Sequence, residues 1–198
     1  MRLGRFFAVE GKDGAGKSTF VKALKQKYPD FVFSREPDGL VRSLVLSDEA
    51  KSFDALTMFN LFWASRAENF AKVILPALQA GKNVVSDRFD VSTFAYQVGE
   101  NPNLEELFWH TRDVCLRGVT PIYLNFDVSV EVSRQRLQSR GDQNHFDARS
   151  DDYHARVRIS YDRFFSSGKV WSTTVDANLP MEQMIADGMK EFEVCLSM

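Results

Sequence analysis

Hydrophobic residues along the chain form short continuous runs that alternate with longer segments of helical spacing. The short runs are typical of buried strands and lie at Arg5–Glu10, Phe31–Ser34, Asn83–Ser86, Ile122–Phe126 and Val170–Val175. Helix-like segments separate each run from the next, and this alternation favours parallel strands with helices on both faces. We therefore expect an α/β fold with three α/β/α layers and a five-stranded parallel sheet.

Apolar residues three or four positions apart outline the helices. The predicted helices run from near Lys17 to Tyr28, from Asp54 to Gln79, from Asp151 to Phe165 and from Met181 to Leu196. In the second of them, Pro76 is expected to kink or divide the helix and Gly81 to end it.

One polar segment, residues 138–152, lies between two helices and carries few large aliphatic side chains. Two interpretations are equally open for it. A segment of this length is either a small mobile lid over a reaction site or an ordinary surface loop.

The first predicted strand leads into a glycine-rich loop. It reads Gly11-Lys12-Asp13-Gly14-Ala15-Gly16-Lys17-Ser18, followed by Thr19. Two glycines that enclose four residues, followed by Lys and Ser, are the pattern of the phosphate-binding P-loop. Glycines permit positive φ, so backbone N–H groups and the start of the next helix can face a phosphate. We predict that residues 11–19 bind the ATP phosphates, with Lys17 on the β/γ-phosphates and Ser18 on Mg²⁺. A plain glycine-rich turn is the alternative.

Composition limits the class of protein. With 198 residues and 44% hydrophobic content, the chain is long enough for a single domain, 1–198, with a substantial core. The net charge of −2 provides no basic field for a nucleic-acid partner. No apolar stretch reaches bilayer length and no signal-peptide pattern opens the chain, so we expect a cytoplasmic protein with no membrane partner. Cys115 and Cys195 lie far apart, as expected for free thiols in a reducing compartment.

Four further motifs follow the P-loop in a characteristic order. They are Ser34-Arg35-Glu36-Pro37-Asp38-Gly39, the pair Phe62 and Arg66, Ser86-Asp87-Arg88-Phe89, and Ser92-Thr93-Phe94-Ala95-Tyr96-Gln97. Together they resemble the thymidylate kinase family across nearly the whole chain. The resemblance implies a P-loop kinase that phosphorylates dTMP to dTDP with ATP and Mg²⁺ in dTTP synthesis, and that forms homodimers.

The resemblance also implies which residues bind dTMP. Phe62 would stack on thymine and Arg66 would donate to a thymine carbonyl, although a core Phe and a surface ion pair are the plainer interpretations. Ser92 and Thr93 would offer hydroxyls to the pyrimidine edge, while Ser92 could equally cap a helix. The remaining members of this set would line the base and sugar, namely Tyr96 and Gln97.

Other matching residues concern the phosphates. Arg88 and Arg35 would hold the dTMP phosphate, because guanidinium groups bind phosphate oxygens bidentately. Asp13 would approach the sugar 3′-hydroxyl, and Asp87 would join Ser18 at the Mg²⁺ ion. In the family, the position of Glu36 and Pro37 is a turn with a cis proline that shapes the same pocket.

The match is weakest around the charge that stabilises the transition state. Gly14 and Ala15 follow Asp13, so the P-loop carries no arginine that could stabilise the transition state. That arginine would have to come from the lid. His145 stands where the family lid usually has arginine, and a neutral imidazole neutralises phosphate charge poorly. Arg140 and Arg149 are the candidates to replace it, which completes a predicted catalytic set with Lys17, Arg88 and Asp13.

Departures elsewhere keep other functions open. Asp38 replaces a family glycine, and Val98-Gly99 follows Gln97 where the family has a glycine-rich continuation. Slow catalysis or a different acceptor could result. The alternatives are another nucleoside monophosphate or deoxynucleoside kinase and a catalytically weak nucleotide-binding protein. A nucleic-acid-binding module is disfavoured by the charge.

Overall fold

The structure is a computed structural model that describes residues 3–139 and 149–198. Its centre is one five-stranded sheet, all parallel, in the order β2-β3-β1-β4-β5. The strands are β1 Phe6–Glu10, β2 Val32–Arg35, β3 Val84–Asp87, β4 Ile122–Asp127 and β5 Trp171–Asp176. The predicted α/β fold and its parallel sheet are confirmed, with strand bounds that differ from the sequence prediction by one residue or less at each end.

Strand β1 is buried along its whole length because both faces of the sheet are covered. Phe6 and Ala8 pack on one face in a core that includes residues of the helices between β2 and β4. Phe7 and Val9 point to the opposite face and pack with the first and last helices. Successive strand residues face opposite sides, so the apolar run Phe6–Val9 supplies both cores.

Helices account for most of the remaining described residues. They are α1 Lys17–Lys27, α2 Gly39–Val45, α3 Ala55–Asn69, α4 Leu75–Gln79, α5 Asp90–Thr93, α6 Glu105–Leu116, α7 Val130–Ser139, α8 Asp151–Phe165 and α9 Met181–Ser197. Short 3₁₀ helices lie at Glu49–Ser52 and Pro102–Leu104. Two π-helical segments, Phe70–Ile74 and Phe94–Val98, continue α3 and α5.

The long helix predicted from Asp54 to Gln79 is divided as Pro76 led us to expect. Asp54 caps its start by accepting a hydrogen bond from the Thr57 N–H at 2.7 Å. The chain then passes through the π-helical segment Phe70–Ile74, which ends two residues before Pro76. Proline has no N–H to donate to the carbonyl four residues earlier, and the wider π turn accommodates this missing hydrogen bond.

The carboxyl ends of β1, β2 and β3 lie side by side at one edge of the sheet. Val9 pairs with Asp87, and Asp87 pairs with Arg35, so the segments that follow these strands begin close together. The Glu36–Pro37 peptide bond after β2 is cis, as the resemblance implied. In open α/β sheets this edge is where ligands bind.

The predicted lid is only partly described. Gln138 and Ser139 end α7, and Asp151 and Asp152 open α8, while residues 140–148 lie outside the described residues. Cys115 is half-buried and Cys195 buried, both as free thiols, as expected. Within residues 3–139 and 149–198, no helix combines the length and the hydropathy needed to span a membrane.

Candidate active site

The P-loop connects β1 to α1 and turns on three glycines with positive φ. These angles are 138° at Gly11, 77° at Gly14 and 85° at Gly16. Helix α1 begins at Lys17, with Thr19 in its first turn, so its positive dipole end faces the space enclosed by the loop. This is the anion cradle that the sequence pattern predicts.

Two side chains of the P-loop fix its inner geometry. The Lys17 ammonium donates to the Lys12 carbonyl at 2.7 Å and is buried. Burial, together with repulsion by Arg88, lowers the pKa of Lys17 to about 8. The Ser18 hydroxyl donates to Asp87 Oδ2 at 2.9 Å, so the predicted metal-binding pair is in contact.

Helix α7 holds the P-loop from the other side. Ser133 Oγ donates to the Asp13 carbonyl at 2.7 Å, and Arg136 donates to the carbonyls of Gly14 at 3.3 Å and Ala177 at 2.7 Å. A Cβ at Gly14 would lie 2.7 Å from the Ser133 carbonyl oxygen. Neither α7 residue was predicted from the sequence, because their P-loop partners lie more than a hundred positions away.

All residues predicted to bind dTMP line one pocket beside the P-loop. They are Asp13, Arg35, Glu36, Pro37, Phe62, Arg66, Arg88, Ser92, Thr93, Tyr96 and Gln97. The pocket is completed by residues that the sequence analysis missed, namely Arg42, Val45, Leu46 and Phe89. Arg42 and its apolar neighbours belong to α2 or directly follow it, and the sequence analysis had placed no helix there.

Guanidinium groups gather in this pocket. Arg35 and Arg42 line it together with Arg88. Burial lowers the pKa of Arg42, and the positive charges of Arg35 and Arg88 lower it further. The close approach of these cations is costly without an anion between them, and it therefore points to an anionic ligand.

Arg88 is the most constrained of these cations. Its φ is 70°, a left-handed conformation that is uncommon for a residue other than glycine. Its side chain forms an ion pair with Asp13 and donates to Ser92 Oγ at 2.9 Å and to the Gly11 carbonyl at 3.3 Å. Although burial raises the pKa of Asp13, Arg88, Lys17 and the Tyr96 hydroxyl together hold that pKa well below its usual range.

Arg66 lies in the buried part of the pocket with only 1% of its surface exposed. Its Nε donates to Glu36, and one of its terminal nitrogens donates to the Phe89 carbonyl at 2.8 Å and to Thr93 Oγ1 at 3.1 Å. The guanidinium lies 4.5 Å from the centre of the Trp63 ring. The surface ion pair considered from the sequence is therefore excluded for Arg66.

Two buried polar atoms of this pocket have no partner among residues 3–139 and 149–198. They are Arg66 NH1, a donor, and Gln97 Oε1, an acceptor. Unsatisfied buried polar atoms are rare and call for an explanation. A ligand that presents one acceptor and one donor on the same edge would satisfy both.

Phe62 and Ser92 differ in how well their surroundings match the predicted roles. Phe62 is half-buried and lines the pocket, so its ring is accessible to a ligand. The Ser92 hydroxyl already bonds to Glu10 at 2.8 Å and to Arg88. It therefore acts on Arg88 in this structure, and Thr93 is the hydroxyl that remains next to Arg66.

Of the three lid residues predicted to act on the transition state, only Arg149 is described. It lines a groove between α7 and α8, separate from the pocket beside the P-loop, with its guanidinium 4.5 Å from the centre of the Tyr153 ring. Its NH1 also lies 3.5 Å from Glu100 Oε1. Arg140 and His145 lie outside the described residues.

A parallel α/β sheet with a P-loop after β1, and a second pocket that gathers arginines next to it, defines a P-loop kinase that transfers phosphate to a small anionic acceptor. A sequence model of the family described as thymidylate kinase matches residues 9–187. Two curated thymidylate kinases are similar over nearly the whole chain. The protein from Chromobacterium violaceum is 35% identical over 94% of this chain and 92% of its own length. That from Nitrosomonas eutropha is 34% identical over 93% and 90%.

The chain belongs to the thymidylate kinase family. It is an ATP-dependent kinase that phosphorylates dTMP to dTDP, a step of dTTP synthesis. The family and reaction expected from the sequence are thereby confirmed.

Proposed function

We propose that the pocket beside the P-loop binds dTMP and that its arginines align the dTMP phosphate with the γ-phosphate of ATP on the loop. The observation that carries this proposal is the gathering of Arg35, Arg42 and Arg88 in a pocket that Asp13 of the P-loop also lines. Arg88 joins the two sites, since its side chain contacts both Asp13 and the Gly11 carbonyl.

The unpartnered atoms of the pocket complement thymine. Arg66 NH1 would donate to the O4 carbonyl, and Gln97 Oε1 would accept the N3–H, while Phe62 stacks on the ring. Cytosine presents the reverse pattern, with an amino group at position 4 and an acceptor at N3. A site that hydrogen-bonds its substrate discriminates strongly against a ligand that leaves those buried groups unpaired.

Transfer needs alignment and positive charge more than covalent help from the protein. An ionised oxygen of the dTMP phosphate attacks the γ-phosphorus, a new P–O bond forms, and the bond to the oxygen that bridges to ADP breaks. No proton has to be removed from the attacking oxygen. Lys17 and the N–H groups of the P-loop bind the charge that shifts toward ADP.

The side chains of Asp87, at the carboxyl end of β3, and Ser18, in the first turn of α1, fit a magnesium ion. Mg²⁺ prefers hard oxygen ligands and takes one or two from the protein, with phosphates and waters supplying the rest. Ser18 Oγ and Asp87 Oδ2, 2.9 Å apart, are such a pair. When bound, Mg²⁺ neutralises charge on the ATP phosphates. We assign Ser18 and Asp87 to hold it directly or through water.

We assign to the lid, residues 138–152, the positive charge that stabilises the transferring phosphoryl group. Arg149 lies in the groove beside α8, where it contacts Glu100 and Tyr153, and Arg140 and His145 complete the set of candidates taken from the sequence. We further propose a homodimer, on the family resemblance alone, and a cytoplasmic location, on the free thiols that suit a reducing compartment. Light scattering of the purified protein tests the homodimer.

The decisive experiment measures ADP formation with ATP and Mg²⁺ and a panel of acceptors: dTMP, dUMP, UMP, dCMP, dGMP, thymidine and none. We expect clear preference for dTMP, weaker use of dUMP and little use of dCMP. Turnover should fall by orders of magnitude in Lys17→Ala. Equal use of dCMP and dUMP would contradict the assigned base contacts, and near-normal turnover by Lys17→Ala would contradict the site.

A further inference from the structure

Glu10, the last residue of β1, carries a completely buried carboxylate that does not line the dTMP pocket. Its Oε1 accepts the N–H groups of Phe89 at 2.7 Å and Ser92 at 3.2 Å, and its Oε2 accepts the Ser92 hydroxyl at 2.8 Å. A buried carboxylate is tolerated only when several donors satisfy it. Here all of these donors come from the 88–92 turn, which comprises the two residues after β3 and the start of α5.

That turn carries Arg88. The left-handed backbone of Arg88 costs free energy, so the surrounding structure must hold it in place. Glu10 binds the backbone on the carboxyl side of Arg88, while the Arg88 N–H donates to the Val9 carbonyl at 3.0 Å. Both restraints originate from consecutive residues at the end of β1.

The guanidinium is restrained through the same carboxylate. Ser92 Oγ donates to Glu10 Oε2 and accepts from Arg88 NH1 at 2.9 Å, which forms a chain of hydrogen bonds from Glu10 to Arg88. The Tyr161 hydroxyl of α8 lies 3.4 Å from Oε2 and donates to the Gly11 carbonyl at 3.1 Å. A carboxylate suits this position because its oxygens only accept, whereas an amide would direct N–H groups at one of these donors.

We propose that Glu10 is a positioning residue that holds Arg88, through Ser92 and the 88–92 turn, in the orientation that binds the acceptor phosphate. The inference rests on the proposed role of Arg88 as a ligand of that phosphate. Glu10 itself does not line the pocket that we assign to the acceptor. Its effect on binding should therefore depend on the phosphate of the acceptor and on the presence of Arg88.

The test is Glu10→Gln, with equilibrium binding of dTMP and of thymidine measured separately by calorimetry. We expect the affinity for dTMP to fall roughly ten- to hundredfold, as for a lost hydrogen bond to a charged group, while the affinity for thymidine changes by less than about twofold. KM for dTMP should rise and KM for ATP stay unchanged. A general loss of packing would weaken the binding of both ligands.

Asp90→Asn is the matched control. Asp90 is equally buried, lies in the same turn, and pairs with Arg112 at 2.7 Å and the Tyr123 hydroxyl at 2.8 Å. No contact joins its carboxylate to Arg88 among the hydrogen bonds and ion pairs of the described chain. This variant should lower thermal stability and leave the ratio of dTMP to thymidine affinity unchanged.

Arg88→Met separates this inference from the proposed function. If Arg88→Met weakens dTMP binding and Glu10→Gln does not, the positioning role is wrong and the role of Arg88 stands. If Arg88→Met leaves dTMP binding intact, both assignments fall. In the double variant we expect no further loss beyond that of Arg88→Met. An additive loss would overturn the proposal.

Should Glu10→Gln fail to fold, Ser92→Ala makes the same comparison. It removes the link to Arg88 and leaves the backbone N–H groups on Glu10. We expect a selective loss of dTMP over thymidine affinity in Ser92→Ala, and none in Ser92→Ala/Arg88→Met relative to Arg88→Met. Equal losses for both ligands would overturn the proposal.

Discussion

The guanidinium of Arg66 and the carboxylate of Glu36 form an ion pair almost completely out of solvent, with 2.7 Å between Nε and Oε2 and side-chain exposures of 2% and 3%. Burial raises the pKa of Glu36 to about 7, although Arg66 and Asn69 oppose the shift. The pair orients Arg66 so that NH1 remains without a protein partner among the described residues. The Arg66 side chain thus combines a nitrogen that fixes its orientation, Nε, with a nitrogen that can bind a ligand, NH1.

We expect Arg66→Met to lower both stability and dTMP affinity, because it leaves the Glu36 carboxylate buried and unpaired. Breaking a buried pair costs about 3–5 kcal/mol of unfolding free energy. Urea unfolding and dTMP binding measure the two effects. The double variant Arg66→Met/Glu36→Gln should recover much of the stability and none of the affinity. Recovery of dTMP affinity in the double variant would rule out NH1 as a thymine ligand.

We expect Gly14→Ala to impair both stability and ATP binding. The φ of 77° is unfavourable for alanine, and the new Cβ would lie 2.7 Å from the Ser133 carbonyl oxygen. The left-handed conformation costs about 1–2 kcal/mol, and the steric contact adds about 1–3 kcal/mol. Chemical unfolding and ATP titration measure the result.

Gly118→Ala is the control for Gly14→Ala, since it has a φ of 82° and open space around the would-be Cβ. It should show the conformational cost alone and leave ATP affinity unchanged. Equal destabilisation by the two substitutions would mean that α7 can move away from the P-loop, and the close packing of Ser133 on Gly14 would then not constrain the loop.

Whether a feature could be predicted from the sequence depends on how many positions separate the residues that interact. The strands and the P-loop were predictable because periodicity and glycine spacing are local signals, and the residues that line the pocket beside the P-loop were predicted because their motifs resemble those of the thymidylate kinase family. Glu10, Ser133 and Arg136 were not, since each acts on a segment at least 79 positions away. A buried strand residue such as Glu10 has no sequence signal that identifies its partner.

Ser92 shows the same limit in another way. The resemblance assigned its hydroxyl to the pyrimidine edge, yet in the structure this hydroxyl links Glu10 to Arg88. The π-helical segment Phe94–Val98 was also missed, because an apolar pattern fits a π turn and an α turn about equally over five residues. Such details depend on hydrogen bonds that a one-dimensional pattern does not specify.

ATP binding should take up protons near pH 8. Burial and repulsion by Arg88 lower the pKa of Lys17 in the free protein to about 8, and the ATP phosphates should raise it again. At that pH about half of the Lys17 side chains are neutral before ATP binds, so binding draws in a proton. Below about pH 6.5 both states are protonated and the uptake should vanish. Calorimetry in buffers of different ionisation enthalpy measures the number of protons.

Lys12 provides the necessary comparison for this proton uptake, because burial and the charge of Arg158 lower its pKa to about 8 as well. We assign the uptake to Lys17, so Lys12→Met should retain most of it. Uptake that disappears in Lys12→Met would transfer the assignment to Lys12, whose buried ammonium has no hydrogen-bond partner in the described part of the chain.

Removal of Mg²⁺ should abolish turnover, and Asp87→Asn should raise the Mg²⁺ concentration required for half-maximal activity by about tenfold or more. The reason is that Asp87 is the carboxylate in contact with Ser18 at the end of the P-loop, and a neutral amide attracts a divalent cation less strongly. Excess Mg²⁺ should restore part of the rate in Asp87→Asn. Titration of activity with Mg²⁺ at fixed ATP measures the shift, and Asp90→Asn should give the wild-type requirement. An unchanged requirement in Asp87→Asn would show that the metal is held without this carboxylate.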